Sequence, residues 1–305
     1  MTTSKGQIYR GRFAPSPSGP LHFGSLLAAL GSFLQARVQQ GKWLVRIEDL
    51  DPPREIPGAD KLILNSLETH GLHWDEALMY QSQRSEAYEH TLQELHKQGL
   101  LFYCDCSNKQ IRARQNSEKL ERSLLASGVY PGTCRSQTEH RENCGIRLRV
   151  SDQILMFKDR VYGLEAQDLK NEVGDFVLKR RDGLYAYQLA VVVDDIAQNI
   201  TEIVRGVDLL DSTPRQLYLY QCLGASPPDY LHLPLALSPD KKKLSKQTGA
   251  KALDDKNAAR NLTDALVVLG QAPPKHLHQE SVKSILDWAI SHWNVSSIPS
   301  QSTVI

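Results

Sequence analysis

Two short segments carry residues that could bind phosphate groups, and the first lies near the amino terminus. A predicted strand ending at Phe13 leads through a proline-rich turn to His22 and Gly24, which open a predicted helix. The first N–H groups and the dipole of a helix favour a phosphate, and a glycine there permits close approach. The segment indicates a nucleotide site, although a histidine and a glycine also occur in an ordinary capped turn.

The second segment is a lysine cluster in a predicted loop, where Lys243 and Lys246 flank Leu244 and Ser245. Lysines on a loop can neutralise the charge that develops on phosphate oxygens during transfer reactions. Taken alone, the cluster equally suits a solvated run of charge. The two segments become informative only as a pair.

A third group of residues has the chemistry of a metal site. Cys104 and Cys106 are one residue apart, and Cys134 follows in a glycine-containing stretch. Three thiolates supply most of the tetrahedral set that structural zinc prefers. From ligand chemistry alone Cys144 would be the best fourth ligand and His140 the next, because thiolate and imidazole bind zinc better than a phenol does. The odd total of five cysteines favours free thiols over disulfides.

These segments need a scaffold that positions them. Extended residues 8–13, helically spaced apolar residues 26–34, an apolar run at 43–47 and helical spacing at 62–67 predict alternating strands and helices. Alternation of this kind favours an α/β fold with a parallel sheet. Residues 102–145 are rich in Cys, Arg, Ser and Gly and predict an insertion.

The rest of the chain returns to regular elements. Asp182 and Gly183 predict the turn of a hairpin within 176–187. The other predicted elements are strands at 191–193, 202–204 and 230–237, a helix starting near 212–214, and two helices followed by a polar tail after residue 254.

Composition narrows the class of protein. The length of 305 residues suffices for a large domain with an insertion, and 41% hydrophobic with 23% charged residues is close to globular averages. Neither a signal peptide nor an apolar run of membrane-spanning length is seen, so a cytoplasmic protein without membrane contact is expected. Because the net charge is only +1, a nucleic-acid partner would need a local basic surface.

The two phosphate-binding segments together resemble the H-I-G-H and K-M-S-K-S motifs of class I aminoacyl-tRNA synthetases, in the same order around an inserted region. Three further segments, at 12–17, 46–51 and 203–208, resemble the glutamyl branch. The departures are His-Phe-Gly-Ser in the first motif and Lys-Leu-Ser-Lys-Gln in the second, which keep the histidine and the second lysine. The resemblance extends to about Gly270.

The resemblance implies a Rossmann-type catalytic domain. Its first half would be 1–101, the zinc-binding insertion 102–145, the second half with the end of the insertion 146–250, and a short helical region 251–305. A glutamate carboxylate would attack the α-phosphorus of ATP, accompanied by Mg²⁺. The residues implied for catalysis are His22, Lys243 and Lys246, and those implied for ATP binding are His22, Gly24 and Lys246.

The resemblance also implies a glutamate pocket. A ligand with two carboxylates and one ammonium group needs two cationic partners and one anionic partner. The implied contacts are Arg12 and Arg205 as cations, Glu48 as the anion, Tyr187 as a hydroxyl donor, and Phe13, Ala14, Pro15 and Ser16 in the turn. The structural alternatives are a surface pair of Arg12 with Glu48, and a strand position for Tyr187 beside Leu189.

For the metal, the stretch around Tyr130 resembles the zinc segment of that family, in which a tyrosine completes the site. The resemblance therefore implies a structural zinc ion on Cys104, Cys106, Tyr130 and Cys134, with Cys144 as the rival of the tyrosine.

The acceptor is inferred from the number of residues after the second motif. Residues 248–305 are too few for the large anticodon-binding domains of the glutamyl enzymes. A member of this branch without them is expected to attach glutamate to queuosine in the anticodon loop of tRNA-Asp, as a monomer. The alternatives are a truncated enzyme that charges a tRNA 3′ end, a non-catalytic RNA-binding paralogue and a nucleotidyltransferase.

Overall fold

Strands and helices alternate at the start of the chain. The computed structural model describes residues 8–117, 129–237 and 251–304. The first elements are β1 (Arg10–Phe13), α1 (Phe23–Val38), β2 (Lys42–Ile47), α2 (Ala59–Thr69) and β3 (Met79–Tyr80). β1 pairs in parallel with β2, and β2 pairs in parallel with β3. Parallel neighbours require a crossover, which α1 and α2 supply. The predicted alternation is confirmed.

The middle of the chain adds a small antiparallel sheet. The elements of this part of the chain are α3 (Ser85–Lys97), β4 (Leu101–Cys104), α4 (Asn108–Ser117), β5 (Gly145–Leu148), β6 (Ile154–Asp159), β7 (Gly163–Asp168) and β8 (Phe176–Lys179), and the small sheet consists of β4, β5 and β8. β5 pairs with both β4 and β8, while β6 and β7 form a hairpin. The cysteine-rich stretch joins β4 to β5, so the segment 102–145 starts and ends within paired strands.

The second half of the parallel sheet follows. Its elements are α5 (Tyr187–Ala197), β9 (Glu202–Gly206), α6 (Thr213–Cys222), β10 (Asp229–Leu233) and β11 (Ala236–Leu237). β10 pairs in parallel with β9 and with β6. β9 lies beside β1, where the Thr201 N–H donates to the Arg10 carbonyl at 2.9 Å. The strand order reverses at this junction, and ligands of open α/β sheets bind at the carboxyl ends of strands near such a point.

Three sequence predictions need correction. The strand predicted at 191–193 is wrong, because these valines lie inside α5 and are buried against the core, and this packing overrides their β-propensity. The strand predicted at 230–237 is split at Pro234 into β10 and β11. The turn at 182–183 exists, but its second strand is reduced to a bridge between Lys179 and Tyr185 before α5 begins.

Helices cover both faces of the parallel sheet. α1 packs on one face with the two final helices, α7 (Ala258–Val268) and α8 (Val282–His292). α3, α5 and α6 form a second core with the small sheet. The last residues form β12 (Thr303–Val304), which pairs in parallel with β11. No helix in the described ranges is long and apolar enough to cross a membrane.

Candidate active site

The turn after β1 and the end of β2 are joined at the carboxyl edge of the sheet. The Glu48 N–H donates to the Pro15 carbonyl at 3.0 Å. Phe13 is buried and stacks on Trp43 with ring centroids 6.4 Å apart, so its side chain belongs to the core. Pro15 and Ala14 are half-buried and Ser16 is exposed. Only the turn itself can therefore reach a ligand.

His22 caps the first turn of α1. Its Nδ1 accepts a hydrogen bond from the Ser25 N–H at 3.2 Å, and the Ser25 hydroxyl lies 3.0 Å from Nε2. Gly24 is half-buried in this turn. His22 is thus the helix cap expected of an ordinary capped turn. The same helix end can also bind a phosphate. Lys243 and Lys246 lie outside the described residues.

Arg12 is held by an acid that the sequence analysis did not identify. Its Nε and Nη2 donate to the two carboxylate oxygens of Asp195 at 3.0 and 3.3 Å, and both side chains are buried. In the described ranges no partner is recorded for its third nitrogen, Nη1. Arg12 is therefore fixed along one edge and able to donate from the other. The alternative of a surface pair with Glu48 is wrong.

Arg46 connects the same aspartate to Glu48. Its Nη1 lies 2.8 Å from Asp195 and 2.8 Å from the Gln198 side-chain oxygen. Its Nη2 lies 3.4 Å from Glu48 Oε1. This leaves Glu48 Oε2 without a recorded partner in the described parts of the chain. Glu48 can thus accept from a ligand ammonium group.

Arg205 is buried in β9 and faces Tyr187 at the start of α5. Its Nη1 lies 3.4 Å from the Tyr187 hydroxyl. Tyr187 is the first residue of α5, so the alternative that it lies in a strand beside Leu189 is wrong. The charges of Arg205, Glu48 and Arg12 all act on the Tyr187 hydroxyl. Of these three charged groups, Arg205 contacts the Tyr187 hydroxyl, whereas Arg12 and Glu48 act on its pKa through their charge.

Burial and charge shift the pKa values of these groups. Burial raises the pKa of Glu48, and the neighbouring guanidinium groups of Arg46 and Arg12 offset this only in part. Burial also acts to raise the pKa of Asp195, but the same two guanidinium groups outweigh it and hold that pKa below its usual value. The site therefore contains one firmly ionised carboxylate and one that gains a proton more readily.

The three cysteines also lie together. The sulfur atoms of Cys104, Cys106 and Cys134 are within 4.8 Å of one another. Sulfur ligands around one zinc ion stand roughly 3.8 Å apart, given Zn–S bonds of about 2.3 Å. The Tyr130 hydroxyl lies 3.3 Å from Cys104 Sγ and accepts from the Cys134 N–H at 2.9 Å. Among the described residues, Cys144 does not belong to this group.

His140, the other rival ligand, packs edge-on against the ring of Tyr103 with centroids 5.5 Å apart. It too is outside the group of metal-binding side chains found in the described ranges. The donor set present is thus three thiols and one phenol, which suits a structural zinc ion.

Two signals for the missed residues were present in the sequence. Asp194 and Asp195 interrupt an apolar helical run, and His232 interrupts an apolar strand. All three are buried, and a buried charge needs a partner. Asp194 accepts from the Tyr88 hydroxyl at 2.7 Å and from Gln81 at 2.9 Å. The partners themselves are distant in sequence, which spacing cannot reveal.

Residues 9–276 match the family described as class I tRNA synthetases (E and Q), catalytic domain. A Pseudomonas aeruginosa protein described as glutamyl-Q tRNA(Asp) synthetase is 52% identical over 296 residues, covering 97% of each chain. The chain belongs to the glutamyl-Q tRNA(Asp) synthetase family. An Escherichia coli K12 protein with the same description is 49% identical over 97% of this chain and 92% of its own. As a class I synthetase, the chain is an enzyme.

Solved structures support the same fold. The glutamate tRNA ligase of Elizabethkingia meningosepticum, in complex with its amino acid, superimposes with a TM-score of 0.80 at 25% identity. The superposition covers 98% of this chain and 67% of the ligase. The predicted class I synthetase α/β fold, with its parallel sheet and helices, is confirmed.

Proposed function

We propose that this enzyme activates glutamate with ATP and transfers the glutamyl group to queuosine in the anticodon loop of tRNA-Asp. The observation that supports the proposal is a hydrogen-bonded chain from Arg12 through Asp195 and Arg46 to Glu48. Arg205 contacts the Tyr187 hydroxyl at 3.4 Å, and the charges of Arg12, Glu48 and Arg205 all act on the pKa of that hydroxyl. Two cations, one anion and a hydroxyl match a ligand with two carboxylates and one ammonium group. The family of the chain supplies the tRNA acceptor.

Each charged side chain of the pocket binds one charged group of glutamate. Arg12 donates to one carboxylate through its open Nη1, while Glu48 accepts from the ammonium group. Arg205 donates to the other carboxylate, exchanging its long contact with Tyr187 for the ligand. The turn residues Ala14, Pro15 and Ser16 line the approach from β1, and Phe13 at the end of β1 can contribute its backbone but not its buried side chain.

Activation requires positive groups around the reacting phosphate. A glutamate carboxylate oxygen bonds to the α-phosphorus of ATP, the bond from this phosphorus to the bridging oxygen breaks, and pyrophosphate leaves. His22 and Gly24 at the start of α1, with Lys243 and Lys246, stabilise the phosphate charge. Mg²⁺ neutralises the pyrophosphate when bound. A queuosine hydroxyl then attacks the acyl carbon, loses its proton, and releases AMP.

A structural zinc ion on Cys104, Cys106, Tyr130 and Cys134 is part of the proposal. Bound there, zinc cross-links the loop after β4 to the stretch before β5, within the segment 102–145. The support is the clustering of three sulfur atoms and the nearness of the Tyr130 hydroxyl to Cys104. Cys144 is left out of the ligand set because it stands apart from that group.

Two assays test the activity. Glutamate-dependent exchange of pyrophosphate into ATP without tRNA is expected, and its absence would overturn the proposed activation step. Labelled glutamate should then pass to tRNA-Asp that carries queuosine and not to tRNA-Asp that lacks it. Equal transfer to both would instead favour charging of the 3′ end, as the likeness to a glutamate tRNA ligase allows.

A further inference from the structure

A buried histidine lies between an aspartate and Arg205, behind the proposed glutamate pocket. Asp159 ends β6, His232 lies in β10 and Arg205 lies in β9. The three residues therefore lie on three neighbouring parallel strands. The side chains of His232 and Asp159 are both 0% exposed. Neither residue can touch a substrate directly, so any role in the reaction acts through Arg205.

The protonation of His232 follows from its neighbours. The Nε–H of Arg205 donates to His232 Nε2 at 3.0 Å. A guanidinium group can only donate, so Nε2 must carry a lone pair. The proton of the neutral ring then lies on Nδ1 and is donated to Asp159 Oδ2 at 2.7 Å. Thr213, which accepts from Arg205 Nη2 at 2.8 Å, lies 3.5 Å from the same Nε2 and can donate to it.

Asp159 is itself immobilised. One carboxylate oxygen accepts from the backbone N–H groups of Val161 and Tyr162 at 2.9 and 3.0 Å. The other accepts from the backbone N–H of His232 at 3.1 Å in addition to the ring. A carboxylate with four donors is fixed in direction, and it fixes the tautomer of the histidine in turn.

Arg205 uses all five of its N–H groups. The longest contact, 3.4 Å, is the one to Tyr187 on the pocket side. The others are to His232 at 3.0 Å, Gln216 at 2.8 Å, Thr213 at 2.8 Å and the Leu209 carbonyl at 3.1 Å. A ligand carboxylate can therefore replace the Tyr187 contact while four hydrogen bonds keep the guanidinium plane in place.

We propose that Asp159 and His232 are positioning residues that orient Arg205 for the carboxylate of glutamate. The inference rests on the proposed function, since it assumes that Arg205 binds glutamate. The aspartate sets the tautomer, the tautomer gives the guanidinium group an acceptor, and the acceptor fixes the direction of Nη1. This chain of hydrogen bonds preorganises the guanidinium group of Arg205 for binding the carboxylate.

Two substitutions at position 232 separate this role from simple packing. In His232→Gln the side-chain oxygen can reach the place of Nε2 and still accept from Arg205. In His232→Asn the amide reaches only the place of Nδ1, so it can donate to Asp159 but leaves the Arg205 Nε–H without its acceptor. The two variants are similar in size and polarity and differ in which hydrogen bond they keep.

Steady-state exchange of pyrophosphate into ATP gives the readout. The KM for glutamate should rise roughly ten- to a hundredfold in His232→Asn and clearly less in His232→Gln, because a lost hydrogen bond to a charged group costs about that factor. The KM for ATP should stay unchanged in both. His73→Asn, at an exposed histidine, is the matched control and should leave all constants as in the native enzyme.

A measurement of the histidine tautomer is independent of activity. Nitrogen-15 NMR of histidine-labelled enzyme should show an Nδ1-protonated ring whose signal vanishes in His232→Gln. The signal of His70, whose Nδ1 lies 2.7 Å from the Ser66 carbonyl oxygen, should remain. An Nε2-protonated His232, or equal KM values for glutamate in the two variants, would overturn the proposed orientation of Arg205. Native enzyme without glutamate-dependent exchange would instead overturn the proposed function, whatever the tautomer.

Discussion

Ala252 pairs with His22 in an antiparallel β-bridge. The neighbouring Leu253 N–H donates to the Leu21 carbonyl at 2.9 Å. The chain therefore re-enters the described structure beside the start of α1, shortly after Lys246. The two segments that resemble the synthetase motifs are far apart in sequence, and this bridge places Ala252, which follows the second segment in the chain, beside the histidine of the first.

The first prediction concerns the lysine loop. Because Lys246 is proposed to stabilise the phosphate charge, Lys246→Ala should lower kcat for glutamate-dependent pyrophosphate exchange by roughly a hundred- to a thousandfold, as loss of one charge-stabilising group does. The KM for glutamate should change little, since the amino-acid pocket is elsewhere.

Lys251→Ala is the matched control, because Lys251 is exposed directly after the same loop. It should leave kcat unchanged. An equal loss of kcat in both variants would argue that general charge near α1, and not a lysine directed at the phosphates, supports the reaction.

The second prediction concerns the buried charge network. Asp195→Asn leaves Arg12 and Arg46 without their shared carboxylate, so the free energy of unfolding should fall by about 3–5 kcal/mol. Urea denaturation followed by circular dichroism measures this. The KM for glutamate should rise together with the loss of stability, since Arg12 is no longer oriented.

Asp152→Asn provides the comparison at an exposed ion pair with Lys170. An exposed pair contributes little to stability, so this variant should unfold at nearly the urea concentration of the native protein. Equal destabilisation of the two variants would contradict the role assigned to Asp195.

The third prediction concerns the zinc ligands. Cys104→Ser should lose stoichiometric zinc in metal analysis, and Tyr130→Phe should bind zinc more weakly in competition with a chelator. Cys144→Ser should bind as the native protein does. The physical reason is proximity, because the Tyr130 hydroxyl lies 3.3 Å from Cys104 Sγ, whereas Cys144 is outside the sulfur group found in the described ranges.

Cys222→Ser is the control, since this thiol packs against the core of α3, α5 and α6 and is remote from the cluster. Zinc loss in Cys144→Ser with full retention in Tyr130→Phe would reverse the choice of the fourth ligand. A native protein without stoichiometric zinc would remove the metal from the proposal altogether.

The fourth prediction follows from the raised pKa of Glu48. Only the ionised form of Glu48 attracts the ammonium group, so glutamate affinity should fall as the pH decreases. Because the pKa of Glu48 is raised, this fall should begin at a higher pH than it would for an ordinary carboxyl group. In Glu48→Gln the KM for glutamate should be high at neutral pH, and this acid limb should be absent.

The contribution of Glu48 to folding stability should depend on pH in the opposite direction to its contribution to glutamate affinity. A carboxyl group whose pKa is raised by folding binds more protons in the folded state, so its contribution to stability decreases as pH rises through that pKa. Glu48→Gln should therefore unfold at a higher temperature than the native enzyme at neutral pH. A lower unfolding temperature would show that the ion pair with Arg46 outweighs the burial of Glu48.

Much of the fold could be predicted because its signals are local. Apolar periodicity located β1, α1, β2 and α2, and Pro214 marked the start of α6. The valines at 191–193 misled the prediction, since a buried helix and a buried strand share composition and differ only in what packs around them. The segment joining β4 to β5 was recognised by composition, but its strand pairing was not.

The candidate site was predictable where a motif carried it. Arg12, Glu48, Tyr187 and Arg205 were named from resemblance, and the charges of the other three act on the pKa of the Tyr187 hydroxyl. The groups that hold them were not named. Asp195 reaches Arg12 across 183 positions, and no local spacing reports a contact of that kind.

Asp194 and Asp195 are consecutive, yet they bind different parts of the molecule. Asp194 accepts from Tyr88, Gln81 and Arg84, and Asp195 accepts from Arg12 and Arg46. Over evolutionary time the two neighbours should therefore belong to separate groups of co-varying positions. An exchange at 195 should be tolerated only with changes at 12 and 46, whereas an exchange at 194 should accompany changes at 81, 84 and 88. Two adjacent positions of one helical turn should therefore co-vary with different sets of residues.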